Sequence, residues 1–283
     1  SGIVTTLLES GADPNLQSSE GWTPLIDAAR EGYESIANVL LKHGAIPNLK
    51  TDKGWTALKY AAYKNYSSIV TSLLNSGADP NIQNKNGWTP LIDAAAGGYR
   101  SIVNDLLKHC ADPNLQTGAG WTALKKAAEE NHSGIVTTLL KSGADPNIQN
   151  KYGWTPLINA AAGGYESIVN DLLKHGANPD LHNDKGWTSL MQAADKNYLG
   201  ILFSLLKYGA DVNYQNYANN TALNMAATEG HIKVVLMLVS RDADINHRGY
   251  KGKSPLARAV ENDHQKIVSY LLHQNADVNQ QDE

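Results

Sequence analysis

Apolar positions along the chain recur in two short helical patterns separated by polar turns. In the stretch from Gly153, Leu157, Ala160 and Ala161 mark one face of a first helix. Thr155 stands ahead of it as an N-cap, and Pro156 fills the first helical position, where a missing N–H costs nothing. Gly163 and Gly164 stop that helix, because a left-handed residue ends a helix readily. Ile168, Val169, Leu172 and Leu173 then predict a second helix from about Glu166 to His175, ended by Gly176. "ANPDLHNDKG" reads as a polar connector.

The same pattern returns every 33 residues. "GWTPLIDAA" at Gly21 is followed by near-copies at Gly54, Gly87, Gly120, Gly153 and Gly186. Two more divergent copies start near Asn219 and Gly252, and residues 1–20 are a partial copy. Two short helices cannot bury their apolar stripes alone, so a fixed period of this length predicts one stacked array over residues 1–283. The alanine pairs, such as Ala28/Ala29 and Ala160/Ala161, let neighbouring helices approach closely. A larger side chain there would overpack the interface.

A second period overlies the first. Units at Gly21, Gly87 and Gly153 read "TPLI", and those at Gly54 and Gly120 read "TALK", so a block of 66 residues was copied. In one type the first helix ends in Gly (Gly32, Gly98, Gly164), in the other in Asn (Asn65, Asn131, Asn197). Both residues tolerate the left-handed conformation.

These residues carry a resemblance. The unit length, the "G-x-T-P-L-x-x-A-A" opening and the "LL-x-x-G-A-D-x-N" close are similar to the ankyrin repeat family over the whole chain. The resemblance implies an all-α fold, an ankyrin-repeat solenoid of stacked helix pairs with projecting β-hairpin fingers. The "GWTAL" units and the closing "ADINHRGYKGKSPLARAV" are also loosely similar to the ankyrin array of a membrane-anchored, kinase-interacting scaffold family. The chain opens inside a second helix, and Ile3, Val4, Leu7 and Leu8 would lie half covered there, so a segment of a longer array is expected.

Composition narrows the function. The net charge is −4, with no basic excess to hold a phosphate backbone, which argues against nucleic acid. No apolar run is long enough for direct membrane insertion. The single cysteine, Cys110, and an opening without a signal-peptide pattern fit a reducing, cytoplasmic (intracellular) setting.

Motifs that invite chemistry read better as structure. "HRGYKGKS" at His247–Ser254 resembles the end of a phosphate-binding loop, but it lacks the first glycine, and "KSPLARAV" is the eighth "TPL-x-x-AA". His43, His109 and His175 are 66 residues apart, each at the end of a second helix, where a positive group complements the helix dipole. Stacking spreads them instead of gathering them round a metal. Cys110 stands where Gly44 and Gly176 end a helix; His109 adjoins it in sequence, but the same His occurs where no Cys does, so a neutral substitution is the reading. Neither a catalytic constellation nor a cofactor motif stands out, so no enzyme activity is expected. "NYS", "NHS" and "NNT" match the glycosylation sequon but carry structural Asn residues. The "ADPN" asparagines (Asn15, Asn48, Asn81, Asn114, Asn147, Asn213, Asn246, Asn279) are turn residues first; the resemblance adds an asparaginyl hydroxylase as a modifier, and Asp180 breaks the series.

All six tryptophans, Trp22, Trp55, Trp88, Trp121, Trp154 and Trp187, share one register between Gly and Thr. By resemblance they lie on the fingers at the edge of the concave face, as a ladder. Two readings stay open: each ring covers the neighbouring finger, or the rings form a contact stripe for a partner. A second row, on the inner helix surface by resemblance, runs Asp27, Tyr60, Asp93, Lys126, Asn159, Gln192, Met225, Arg258 and varies while its surroundings repeat. The family's usual His of "TPLH" is replaced by Ile26, Ile92 and Ile158, or by Lys59 and Lys125, which removes that histidine's bonding between units. The reading is a non-catalytic scaffold that binds a peptide or protein surface along its concave face and fingers. The alternative is a targeting or sensing arm of a larger enzyme, channel or membrane scaffold.

Overall fold

The structure, a computed structural model, describes residues 2–280. It consists of short helices in pairs joined by turns. They are α1 (Gly2–Glu9), α2 (Pro24–Glu31), α3 (Glu34–Lys42), α4 (Ala57–Tyr63), α5 (Ser67–Asn75), α6 (Pro90–Ala96), α7 (Arg100–Lys108), α8 (Ala123–Glu129) and α9 (Ser133–Lys141). There follow α10 (Pro156–Gly163), α11 (Glu166–Lys174), α12 (Ser189–Asp195), α13 (Leu199–Lys207), α14 (Ala222–Thr228), α15 (Ile232–Val239), α16 (Pro255–Glu261) and α17 (Gln265–His273). The chain forms two compact units, residues 1–145 and 146–283.

In the first unit, α2, α4, α6 and α8 pack in succession as one layer, and α3, α5, α7 and α9 as another. In the second unit, α10, α12, α14 and α16 form one layer, and α11, α13, α15 and α17 the other. The alanine pairs sit where first helices meet, and Ala29, Ala61, Ala62, Ala94, Ala95, Ala160 and Ala161 are fully buried.

Each first helix starts on a hydroxyl side chain, Thr in all but α16, which starts on Ser254. Thr23 Oγ1 accepts the Ile26 N–H at 3.2 Å, and Thr56, Thr89, Thr122, Thr155 and Thr188 repeat the bond. Left-handed residues end these helices as expected, with φ 78° at Gly32, 75° at Gly98 and 62° at Asn65. Gly32 has a further reason to be glycine: a Cβ there would lie 2.8 Å from the Tyr66 ring of the next repeat.

The expectation of β-hairpin fingers needs correction. Among the described residues there is no strand, only one isolated bridge between His182 and Thr188. Each connector closes instead as a tight loop, in which Thr51 N donates to Trp55 O (3.0 Å) and Gly54 N to Thr51 O (2.8 Å). A ladder needs bonds that repeat along both arms, and these loops turn after one. The loop tips are also capped by a side chain: Asn84 Oδ1 accepts from Asn86 N and Trp88 N (3.0 and 2.9 Å). That local bonding competes with sheet formation.

The "ADPN" asparagines join consecutive repeats. Asn81 Nδ2 donates to Cys110 O at 3.1 Å while its Oδ1 accepts the Asp112 N–H at 2.7 Å. Asn15, Asn48 and Asn114 do the same in the first unit, as do Asn147 and Asn213 in the second. Asp180 can only accept, from Asp211 N at 2.8 Å. His43, His109 and His175 bond Nδ1–H to the carbonyl four residues back, at 2.8–2.9 Å, which closes the last turn of α3, α7 and α11.

Candidate functional site

The sequence places every tryptophan just before a first helix, and the loop bonds hold it there. All six rings are half-buried. In the first unit their faces are covered from within. Trp22 stacks on Tyr60 at 5.3 Å between ring centres, and Trp55 meets Tyr60 in a tilted contact at 4.5 Å. The Arg30 guanidinium lies over the Trp22 ring at 4.6 Å, and the Tyr63 ring meets Trp55 edge-on at 5.7 Å. Stacked pairs and cation–ring contacts of this kind each contribute about 0.5–1.5 kcal/mol.

The tryptophans also roof two buried lysines that the sequence reading named only as substitutes for a histidine. Lys59 on α4 stands 4.8 Å from the Trp55 ring and 6.0 Å from Trp88. Its ammonium donates to the Asp93 carboxylate on α6, and both side chains are buried. Burial pushes the Lys59 pKa down and holds that of Asp93 up at about 6, because lost hydration outweighs the mutual attraction. Lys125 on α8, fully buried, stands 4.3 Å from the Trp121 ring, and burial brings its pKa down to about 7. Lys126 reaches the same ring at 4.4 Å and pairs with Glu129 at 2.7 Å. So the register position that binds from repeat to repeat through His in the resembled family does so at Lys59 by an ion pair. A lysine at the position where Ile26 and Ile92 are buried was the available signal.

The second predicted row divides by environment. Asp27 is exposed and lies 3.7 Å from Arg30, and Tyr60 belongs to the stack. Asp93, Asn159 and Met225 are buried. Lys126, Gln192 and Arg258 are half-buried, with Arg258 donating to the Tyr250 carbonyl at 2.7 Å. The structure therefore brings Asp27, Trp22, Tyr60 and Trp55 together, and Lys126 with Trp121; it turns three members of the row into packing positions.

Beside the stack opens a cleft of about 360 Å³ between the first two loops, lined by Glu20, Trp22, Thr51, Asp52, Lys53 and Tyr60. A backbone bond from Asp52 N to Glu20 O, 2.9 Å, fixes its width. Among the described residues no group of three His, Cys, Asp or Glu side chains is placed to hold a metal ion, and no helix is long and apolar enough to cross a membrane.

The sequence profile described as "Ankyrin repeats (3 copies)" matches residues 1–84, 64–150, 139–216 and 201–282. No curated protein matches the chain.

Proposed function

The chain belongs to the ankyrin repeat family, whose repeats are generally protein–protein interaction modules, and on that premise we propose that it is a non-catalytic scaffold that grips a peptide segment on its loop and first-helix face. The observation that carries this reading is the Trp22–Tyr60–Trp55 stack beside an open cleft. Large, rigid, half-exposed aromatics are the residues in which binding energy concentrates. Loop-to-loop bonds hold them in place before a partner arrives, which lowers the ordering cost of binding. Trp22 and Tyr60 would anchor an apolar or aromatic side chain, while Glu20, Asp52 and Asp27 select its neighbours. The remaining tryptophans, Trp88, Trp121, Trp154 and Trp187, extend the same kind of surface within each unit.

The asparagine series supports a modifier as a second relation. Each of Asn15, Asn48, Asn81 and Asn114 has both ends of its amide engaged with the next repeat. An asparaginyl hydroxylase would need that junction to open, so modification would report local unfolding.

The test is a peptide selection. Peptides enriched on the native chain from a random library would be titrated against a Trp22→Ala, Tyr60→Ala variant with matched helicity. Binding that falls by about tenfold or more in the variant supports the cleft as the anchor. Enriched peptides that bind both forms equally would leave the stack as packing alone.

A further inference from the structure

The repeats without tryptophan carry a surface of opposite chemistry. The loop from His247 to Lys253 holds Arg248, Lys251 and Lys253 and no carboxylate, within a chain of net charge −4. Between this loop and the preceding one lies a cleft of about 560 Å³, lined by Tyr217, Asn219, Arg248, Tyr250 and Lys251 among others, with no Asp or Glu among the described residues that line it. Tyr217 is 70% exposed and Tyr250 52%, so two phenol rings stand in solvent on the two loops that border the cleft.

The cleft is built, and its walls are tied together. Asn219 Nδ2 donates to the Arg248 carbonyl at 2.7 Å, and Asn220 Oδ1 accepts the Tyr250 N–H at 2.9 Å. His247 Nε2 meets the Asn219 carbonyl at 2.7 Å, and the Arg258 guanidinium donates to the Tyr250 carbonyl from behind. Lys253 is occupied by Glu261. Lys251, by contrast, makes no ion pair among the described residues; its ammonium stands 5.5 Å from the Tyr250 ring. Its backbone is left-handed, with φ 60°, an uncommon state for lysine. Two residues earlier, Gly249 stands where other loops place the Ser, Thr or Asn that caps the turn, and a Cβ there would lie 2.4 Å from Asn220 Oδ1.

We infer that the cleft between Tyr217 and Lys251 receives a short acidic peptide segment of a partner protein, its carboxylates on Arg248 and Lys251 and an apolar side chain against Tyr217 or Tyr250. Charge complementarity selects the occupant. Lys251, without an ion pair among the described residues, and the neighbouring Arg248 make this end of the cleft cationic, which attracts anions. A volume of this size holds a few side chains rather than a long polymer. A nucleic acid or an anionic membrane presents many charges along its length and needs a basic track to match, and the rest of this chain is acidic. This site contains no tryptophan and lies in the second unit, whereas the proposed aromatic anchor lies in the first, so each can fail alone.

The test uses fluorescence anisotropy with three labelled probes: Glu-Glu-Phe-Glu-Glu, its Lys-Lys-Phe-Lys-Lys counterpart, and single-stranded oligothymidylate. The expected result is saturable binding of the glutamate probe alone, weakened by salt and by about tenfold or more in Lys251→Glu and in Arg248→Gln with Lys251→Gln. Lys251→Glu is the cleaner variant, because Arg248 also bonds within its own loop to Gly252 O; equal melting of each variant and the native chain is checked first. The Trp22→Ala, Tyr60→Ala variant should bind the glutamate probe as the native chain does. No glutamate-probe binding at low salt, binding unchanged in Lys251→Glu, or preference for the oligonucleotide would each overturn the proposal.

Discussion

Lys59 and Asp93 lie 34 residues apart in sequence, yet the ammonium of one donates to the carboxylate of the other inside the first-helix layer, where both are buried. A buried pair gains little net stability, because each charge has lost its water, but removing one partner strands the other. Lys59→Met should therefore destabilise the first unit by about 3–5 kcal/mol. Adding Asp93→Leu to it should recover most of that loss. Urea unfolding of the native, single and double variants measures both steps. Equal destabilisation in single and double variants would show that the pair is not the source.

Lys125 predicts a pH dependence. Its folded pKa is lowered to about 7 by burial, from an unfolded value near 10.4. Between those values the unfolded chain binds more protons, so stability rises with pH through that window and is flat below it. The gain from pH 7 to pH 10 should be on the order of 3 kcal/mol. Lys125→Met should melt higher at pH 7 and lose this rise. A native chain whose melting temperature does not climb relative to Lys125→Met over that range would contradict the assignment.

The asparagine staples can be both removed and completed. Asn81→Ala loses two bonds to the following repeat and should cost about 1–2 kcal/mol. Asp180 keeps only the accepting half, from Asp211 N. Asp180→Asn would add a donor aimed at the Gly209 carbonyl, the counterpart of Gly44 and Gly176, and should stabilise by about 0.5–1 kcal/mol. Thermal melting of the two variants should move in opposite directions.

Cys110 occupies a left-handed position with φ 64°, where other repeats have Gly44, Gly77, Gly143 and Gly176. Its carbonyl, not its thiol, serves the neighbour, by accepting from Asn81. Cys110→Gly should thus raise stability by about 1 kcal/mol without changing the staple. A lower melting temperature in that variant would mean that the side chain contributes packing that outweighs the backbone strain.

Much of the architecture is written locally. Thr155 and Pro156 start a helix, Gly32 and Asn65 end one, and Ile168, Val169, Leu172 and Leu173 choose the buried face. Each of these acts through its own backbone or its immediate neighbours, so the order of residues suffices to read them. The hairpin arms implied by resemblance did not form as strands, because Asn84 and its counterparts cap the loop within one turn. The candidate site was half legible. The tryptophan register was plain, but the faces of those rings are met by Tyr60, Arg30, Lys59 and Lys126 from other positions of the repeat.

The repeat, its helices and their caps were thus determined by the chain's own order, since they depend on interactions spanning a few residues. The fate of the variable positions was decided only when repeats stacked. Asp27 and Asp93 share one register, yet one is exposed and the other buried against Lys59. The difference comes from which residue the adjoining helix presents, and a side chain's charge, hydration and access to a partner depend on that neighbour rather than on its place in the pattern.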